Sequence, residues 1–354
     1  MKRTPPHTDT LLIGAGQAGL AAAYYLQRAG VPLVILEERS AVGDVWATRY
    51  DSLRLFSPAW ASALPSLAWP GNPLRYPTKD ETAAYLRQYA AHFKFKIECG
   101  QRVISVAPAP TGGYVVETAA GLRYQARRVV VCTGPYTTPR RPAFAGQLPP
   151  AVQQLYSSAY QRPAQLPGTG PVAVVGSGNS ALQIAADLAA TGRPVFIAFD
   201  EKTPALANNT AMWAFILGTG LLQAGRNSPV GRLMRQRPEP VVSQDLHHLR
   251  GFDNVQWIGR ATEATAAGTI QGQRAATPPL AAVVWATGFG PDYEWLRVPG
   301  ALASDGQPLH HRGLSSVPGL AFLGLPWLHS RRSALMGGAA ADARFVVRHL
   351  LKST

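Results

Sequence analysis

Two short glycine-rich stretches contain the residues of this chain best suited to chemistry. The first follows an apolar run and has the spacing Gly-x-Gly-x-x-Gly, and a glutamate stands 23 residues after its first glycine. In this spacing the glycines permit a tight turn, let a pyrophosphate approach the backbone, and let the next helix pack closely on the strand. Free N–H groups at the start of that helix bind phosphate oxygens. The stretch therefore predicts a dinucleotide site formed by Gly14, Gly16, Gln17, Ala18, Gly19 and, on a ribose, Glu37.

The second stretch reads Gly-Ser-Gly-Asn-Ser-Ala and again follows an apolar run. Ala181 replaces its third glycine, a change that this spacing tolerates. Asp200 follows the next apolar run, where a carboxylate bonds a free ribose 2′-hydroxyl and repels a 2′-phosphate. The sequence therefore favours NADH as the cofactor of this site, or the use of both NADH and NADPH. The predicted contacts are Gly176, Gly178, Asn179, Ser180, Asp200 and Lys202.

Each stretch needs a strand before it, a helix after it and a second strand beyond. Residues 8–36 read as strand, helix and strand, and residues 171–199 repeat that pattern about 160 residues later. We expect residues 135–171, which are rich in proline, to connect two domains, and residues 203–249 to be irregularly helical. Further helices are predicted over residues 80–93 and 339–351, and further strands over residues 102–106, 114–118, 129–131, 281–285 and 320–323.

Composition excludes several other classes of protein. The chain has 354 residues, enough for two domains, and 46% of them are apolar, which indicates a packed core. Its net charge is +14, but no run of five basic residues occurs, so we predict no nucleic-acid binding and expect the positive field to attract pyrophosphates. The longest apolar stretch, residues 211–222, is too short for a membrane span and is expected to be buried or to line a substrate pocket.

Cysteine and histidine usage argues against a metal site. Cys99 and Cys132 are far apart and form no Cys-x-x-Cys pair, which excludes a zinc ribbon and a dithiol of that type and fits a cytoplasmic protein. The paired histidines at 247–248 and 310–311 have no acidic or cysteine partners at ligand spacing. We therefore predict no bound metal.

Five motifs in order resemble those of the class B flavoprotein monooxygenases, which include flavin-containing monooxygenases and their short bacterial relatives. The resemblance extends over nearly the whole chain, and its motifs are residues 14–20, 43–46 (Gly-Asp-Val-Trp), 50–58 (Tyr-Asp-Ser-Leu-Arg-Leu-Phe-Ser-Pro), 176–181 and 286–289 (Ala-Thr-Gly-Phe).

The resemblance implies an α/β fold with two Rossmann-like dinucleotide-binding domains. An NAD(P)-binding domain, residues 151–280, would be inserted into a discontinuous FAD-binding domain, residues 1–150 and 281–354. FAD and either NADH or NADPH are the implied cofactors. Further cofactor contacts implied by the resemblance are Val45, Trp46, Val103, Thr133, Gly134, Thr287, Gly288 and Leu335.

Two departures from the family pattern concern oxygen transfer. After Phe144-Ala145-Gly146 the family has a histidine, where this chain has Tyr156, and then an aromatic residue, matched by Tyr160. Many members also have an asparagine near residues 55–57 that assists the oxygen chemistry of the flavin, and this chain has Phe56 there. The catalytic candidates are Phe56, Ser57 and Asn179.

The predicted function is an FAD-dependent oxidoreductase that takes hydride from NAD(P)H and passes electrons to O2. It would oxygenate a small sulfide, amine or ketone, with part of the flux released as hydrogen peroxide because of Phe56. The alternatives are an NAD(P)H-dependent flavin reductase or diaphorase that serves a quinone or a protein, and a nucleotide-sensing regulator without turnover. We expect a monomer or homodimer with no stable membrane insertion.

Overall fold

The first of two large sheets is built around five parallel strands. The computed structural model describes residues 7–352, so the outermost residues of the predicted FAD-binding domain lie outside it. In the first sheet the parallel strands lie in the order Ile97–Glu98, Leu33–Leu36, His7–Ile13, Arg123–Val131 and Leu320–Phe322. The other strands of this nine-stranded sheet are Val103–Pro108, Tyr114–Thr118, His310–His311 and Leu314–Ser315.

Burial on both faces explains why these parallel strands have continuous apolar sequences. Leu11, Leu12, Val130 and Phe322 have no solvent exposure. The helices Gln17–Arg28 and Ala339–Leu350 pack against each other and against this sheet. A parallel sheet covered by its crossover helices has no polar face, so its strands do not alternate between apolar and polar residues.

The second sheet has five strands, all parallel to their neighbours. Their order is Val255–Trp257, Val195–Ala198, Val172–Val175, Ala282–Trp285 and Gln153–Tyr156. The helix Asn179–Ala189 connects the third strand of this order to the second and packs on them. The predicted fold class, with two Rossmann-like units, is therefore confirmed.

The strand Ala282–Trp285 lies just after the predicted domain boundary but pairs with strands from before it. A boundary at residue 281 assigns Ala282–Trp285 to the FAD-binding domain, whereas its backbone pairs with Val172–Val175 and with Gln153–Tyr156 in the second sheet. Ala282–Trp285 therefore belongs to the second sheet. Sequence position does not indicate this pairing, because strands that are neighbours in a parallel sheet are often far apart in the chain. The bounds of the two domains stay a prediction.

The proline-rich stretch 135–171 contains a strand that periodicity did not reveal. Gln153–Tyr156 has only four residues and forms the edge of the second sheet. The helix predicted over residues 80–93 is observed as Lys79–His92, and it begins with a capping box in which Thr78 and Glu81 bond each other's backbone N–H groups.

Residues 203–249 form three short helices, Thr210–Gly218, Pro229–Gln236 and Ser243–Arg250. The apolar stretch 211–222 is not buried, because Trp213 is its only buried residue and Phe215 is 67% exposed. The alternative expectation, that this stretch lines a substrate pocket, stays a prediction. No helix within residues 7–352 is long and apolar enough to cross a membrane.

The remaining elements are short. The other helices are Asp44–Ala47 and Ala59–Ser62, and the 3-10 turns are Ala143–Gln147, Pro163–Gln165, Leu221–Gln223, Arg331–Ala334 and Met336–Gly338. The other strands form three two-stranded sheets: Ala205–Leu206 with Val241–Val242, Ala261–Ala264 with Ile270–Gly272, and Thr138–Pro139 with Phe289–Gly290.

Candidate functional site

The first glycine loop, residues 14–19, lies between the strand His7–Ile13 and the helix Gln17–Arg28. Gly14 has a φ of +104°, and a Cβ there would lie 2.7 Å from the carbonyl oxygen of Cys132. A Cβ on Gly19 would overlap the Gly14 carbonyl oxygen. A Cβ on Gly16, in contrast, would meet nothing within 4 Å. The fold itself thus requires Gly14 and Gly19, while the space beside Gly16 remains open to a ligand.

The helix after this loop has an uncapped N-terminus. Gly16 is its N-cap and makes no side-chain cap hydrogen bond, so the N–H groups of Gln17 and Ala18 remain free for a phosphate. Glu37 reaches the same loop, where its carboxylate accepts hydrogen bonds from the Ala15 N–H (2.7 Å) and the Arg39 N–H (2.9 Å). Burial raises the pKa of Glu37 above its ordinary value. The structure therefore brings the predicted acid to the predicted loop.

The second glycine loop, residues 176–181, repeats this geometry. A Cβ on Gly176 would overlap the carbonyl oxygen of Ala286, whereas a Cβ on Gly178 would meet nothing within 4 Å. Gly178 is the N-cap of the helix Asn179–Ala189 and makes no side-chain cap hydrogen bond. The Ser180 hydroxyl, in the first turn, lies 3.4 Å from the Tyr50 hydroxyl. This loop, too, has an open central glycine and an uncapped helix N-terminus.

The acid predicted for the second site lies beside its loop. The Asp200 N–H donates to the Ser177 hydroxyl at 2.8 Å, and the Asp200 carboxylate accepts from the Lys202 N–H at 3.0 Å. Tertiary structure adds a cation that the sequence did not indicate, because Arg274 forms an ion pair with Glu201. The predicted preference of this site for NADH stays a prediction. Arg274 places a cation close to the acidic residues on which that preference depends.

Eight buried polar side-chain atoms have no partner within the described part of the chain, and two of them, Trp46 Nε1 and Thr133 Oγ1, belong to predicted FAD contacts. Trp46 packs against the cores of both sheets, and Thr133 adjoins the first glycine loop next to Gly14. Unpaired buried polar atoms are costly, and in native proteins they usually meet a ligand or water. The predicted FAD contacts therefore fit a group that is not part of the polypeptide.

The two turns that connect the sheets are joined by Tyr156. Its hydroxyl donates to the Gly288 carbonyl, lies 3.4 Å from the Thr287 hydroxyl, and accepts from the Arg140 N–H at 3.2 Å. The Phe289 ring meets the Tyr156 ring edge to face, with centroids 5.1 Å apart. The residue that replaces the family histidine thus holds both connections together.

The three catalytic candidates have different surroundings. Phe56 is 40% exposed and accessible to a ligand. Ser57 is buried, and its hydroxyl bonds the Ser62 hydroxyl at 2.8 Å. Asn179 accepts the Val242 N–H on its side-chain oxygen at 2.8 Å. The catalytic roles of all three residues stay predictions, and Phe56 is the most exposed of them.

The other predicted contacts lie on several separate elements. Val45 is 40% exposed, Val103 begins the strand Val103–Pro108, and Gly134 follows Thr133 with a φ of +73°. Leu335 joins the 3-10 turns Arg331–Ala334 and Met336–Gly338. The second of these turns lies close to the segment after Phe56, because a Cβ on Gly337 would overlap the carbonyl oxygen of Ala61.

Within residues 7–352, the histidine pairs belong to no group of three or more His, Cys, Asp or Glu side chains that could hold a metal ion. His310 instead accepts the Gly313 N–H on Nδ1 at 3.1 Å. Burial, together with Arg226 and His311, lowers the pKa of His310 to about 4. The folded state therefore binds fewer protons here than the unfolded state between about pH 4 and pH 6.5.

We expect the melting temperature to fall as the pH is lowered from about 6.5 to about 4, because protonation of His310 is easier in the unfolded chain. A His310→Asn variant keeps an acceptor for the Gly313 N–H but cannot titrate, so its melting temperature should fall less over this range. A matched His247→Asn variant, at an exposed position, should follow the wild type. Identical pH profiles for the wild type and His310→Asn would contradict the assignment.

Comparison with known proteins shows that this chain is similar to redox enzymes. Residues 11–213 match the family described as pyridine nucleotide-disulphide oxidoreductase. A protein of Geobacillus kaustophilus named uncharacterized oxidoreductase CzcO-like is 40% identical, over 97% of this chain and 98% of that protein. Indole-3-pyruvate monooxygenase YUCCA1 of rice is 36% identical, over 51% of this chain and 45% of that protein.

The solved structure of a flavin-containing monooxygenase from Stenotrophomonas maltophilia is 28% identical in sequence. It covers 98% of this chain and 99% of its own, with a TM-score of 0.78. The similarity therefore includes both sheets and both glycine loops.

Proposed function

The chain belongs to the pyridine nucleotide-disulphide oxidoreductase family, among its flavin monooxygenase-like members, and we propose that it oxygenates a small substrate with O2 at the expense of NAD(P)H. It is an FAD- and NAD(P)H-dependent oxidoreductase, as the two glycine loops predicted. The observation that carries the proposal is the pair of open loops, at Gly16 and Gly178, each following a parallel strand and preceding an uncapped helix. One such loop serves each dinucleotide.

The first loop is the proposed FAD site. FAD, when bound, accepts a hydride from NAD(P)H and passes electrons on to an acceptor. The N–H groups around Gly16 would hold its pyrophosphate, and the Glu37 carboxylate would bond a ribose. Trp46 Nε1 and the Thr133 hydroxyl, which have no partner within the described chain, would bond polar atoms of the same cofactor.

The second loop is the proposed NAD(P)H site. Its helix N-terminus at Gly178 would bind the pyrophosphate, and Asp200 would bond the adenosine ribose. Asn179 fixes the start of this helix by accepting the Val242 N–H, and Tyr156 fixes the connection to the first sheet. These contacts would hold the two dinucleotides in a constant relative position, which hydride transfer requires.

A thiol mechanism is not favoured by either cysteine. Cys132 is buried, and burial raises its pKa far above the ordinary value for a thiol, while burial also raises the pKa of Cys99. Neither is therefore a ready thiolate nucleophile. Electrons would leave through O2 rather than through a protein disulfide.

The proposed function is tested by anaerobic reduction followed by oxygen. Purified protein loaded with FAD should bleach rapidly when NADH or NADPH is added without oxygen. Admission of O2 with a thioether should then yield the sulfoxide. Absence of bleaching would favour the nucleotide-sensing regulator, and bleaching with electrons passed only to a quinone would favour the diaphorase.

We expect uncoupled turnover because Phe56 offers no side-chain amide where many family members have an asparagine. Without an oxygenatable substrate, NAD(P)H oxidation should release hydrogen peroxide nearly stoichiometrically. A Phe56→Asn variant should release less peroxide per NAD(P)H, measured by a peroxidase-coupled assay, and a Phe215→Asn variant, also at an exposed phenylalanine, serves as control. Equal peroxide yields in wild type and Phe56→Asn would contradict the role given to Phe56.

We propose residues 1–134 and 286–354 as the FAD-binding domain and the residues between them as the NAD(P)-binding domain. The strand Ala282–Trp285 determines where the chain returns, because it pairs inside the second sheet. Cytoplasmic location, a monomeric or homodimeric state and the absence of nucleic-acid binding stay predictions from composition.

A further inference from the structure

Arg49 lies where segments from the two sheets meet. It follows the short helix Asp44–Ala47, and its guanidinium carbon lies 5.4 Å from the centroid of the Phe289 ring. Phe289 belongs to the turn after the second-sheet strand Ala282–Trp285, and it also contacts Tyr136, which follows the first sheet, with ring centroids 5.8 Å apart. The guanidinium is therefore placed among aromatic rings at the junction of the two proposed domains.

Within the described part of the chain, the Arg49 guanidinium has no counterion. Among residues 7–352, no carboxylate lies within ion-pairing distance of the Arg49 guanidinium, and its side chain makes no hydrogen bond. The nearest acid in sequence, Asp51, pairs instead with Lys79 at 3.3 Å and Arg162 at 3.1 Å. Arg49 is only partly exposed, and burial lowers its pKa below the ordinary value for arginine. A desolvated, unpaired charge is costly, and an anionic ligand removes that cost.

The neighbours of Arg49 connect it to the second glycine loop. The adjacent Tyr50 places its hydroxyl 3.4 Å from the Ser180 hydroxyl and 3.1 Å from the Gln183 side-chain oxygen, both on the helix that begins at the loop. Phe289 comes three residues after Ala286, whose carbonyl oxygen lies against Gly176. Arg49 thus belongs to the first domain, while its neighbour Tyr50 contacts the helix of the second loop and its ring contact Phe289 follows the turn against that loop.

We propose that Arg49 binds the phosphate groups of the nicotinamide dinucleotide at the second glycine loop, across the junction of the two domains. The inference rests on the proposed function of that loop. A guanidinium suits this role because its N–H groups bond phosphate oxygens bidentately. The FAD pyrophosphate has the same chemistry, and Arg39, which follows Glu37, also acts on Arg49 electrostatically, so FAD is the competing source of the anion.

Equilibrium binding to the FAD-loaded protein tests this assignment. NADP+ and NAD+ are titrated separately against wild type, Arg49→Met and Arg49→Lys, with binding followed by calorimetry. Loss of a charge-assisted contact should raise the dissociation constant about tenfold to a hundredfold in Arg49→Met, and Arg49→Lys should recover part of it. Arg348→Met, which removes an exposed arginine from the last turn of the final helix, should bind as the wild type does.

The FAD content and melting temperature of each variant, measured first, separate the remaining outcomes. An Arg49→Met protein that folds but loses FAD would assign Arg49 to FAD and overturn the proposal. Unchanged NAD(P)+ affinity with FAD retained would overturn it as well. A wild-type protein that keeps FAD but binds neither nicotinamide dinucleotide would refute the proposed function of the second loop itself.

Discussion

A Gly16→Val variant is expected to fold normally and to purify without FAD. Gly16 has φ −74° and ψ −176°, an extended conformation that valine adopts readily, and a Cβ there meets no protein atom within 4 Å. The same Cβ, with two further methyl groups, would occupy the space through which a pyrophosphate approaches the backbone. The FAD content should therefore fall to less than about a tenth of the wild-type value.

Stability of the two apoproteins separates a lost ligand from a damaged fold. Urea unfolding of apo wild type and apo Gly16→Val should agree within about 0.5 kcal/mol, as for a substitution in open space. The holoproteins must not be compared, since bound FAD itself stabilises the wild type. If Gly16→Val keeps a full complement of FAD, the first loop does not hold that cofactor.

A Gly178→Val variant is expected to keep its FAD and to lose affinity for the nicotinamide dinucleotide by about a hundredfold or more. The structural reason is the same, because Gly178 has φ −106° and ψ 175°, and a Cβ there meets nothing within 4 Å. The added side chain would stand at the helix N-terminus where the phosphates bind. The flavin absorbance of the purified protein should match the wild type, while titration with NADP+ or NAD+ shows weak binding.

The two valine variants serve as controls for each other. A third variant, Gly218→Val, changes another glycine whose Cβ would meet nothing within 4 Å, away from both loops, and should bind FAD and NAD(P)+ normally. The assignment of one dinucleotide to each loop predicts opposite losses in Gly16→Val and Gly178→Val. Loss of both ligands in both variants would contradict it.

The two loops differ at the third glycine position of the motif, which is Gly19 in the first loop and Ala181 in the second. At Gly19 an added Cβ would overlap the Gly14 carbonyl oxygen, so the first helix requires glycine there. In the second loop Ala181 holds the equivalent position and is fully buried. The second loop therefore accommodates a methyl group where the first does not, and both present an open central glycine.

The sequence by itself determined the two loops, their strands and helices, and the acids Glu37 and Asp200. These features depend on residues within about 30 positions of one another, the size of a βαβ unit, so local spacing is sufficient to predict them. The motifs that follow the first loop also predicted FAD and the flavin monooxygenase-like family, which the comparisons confirmed.

Only the tertiary structure decided which distant residues share the site. It paired Ser57 with Ser62, brought Arg274 to Glu201, set the strand Gln153–Tyr156 beside Ala282–Trp285, and placed the Arg49 guanidinium over the Phe289 ring. Apart from Ser57 with Ser62, these partners are more than 70 positions apart in the chain, so no periodicity or spacing indicates their contact. The sequence therefore predicts where each dinucleotide binds, and the packing of the two sheets determines what surrounds it.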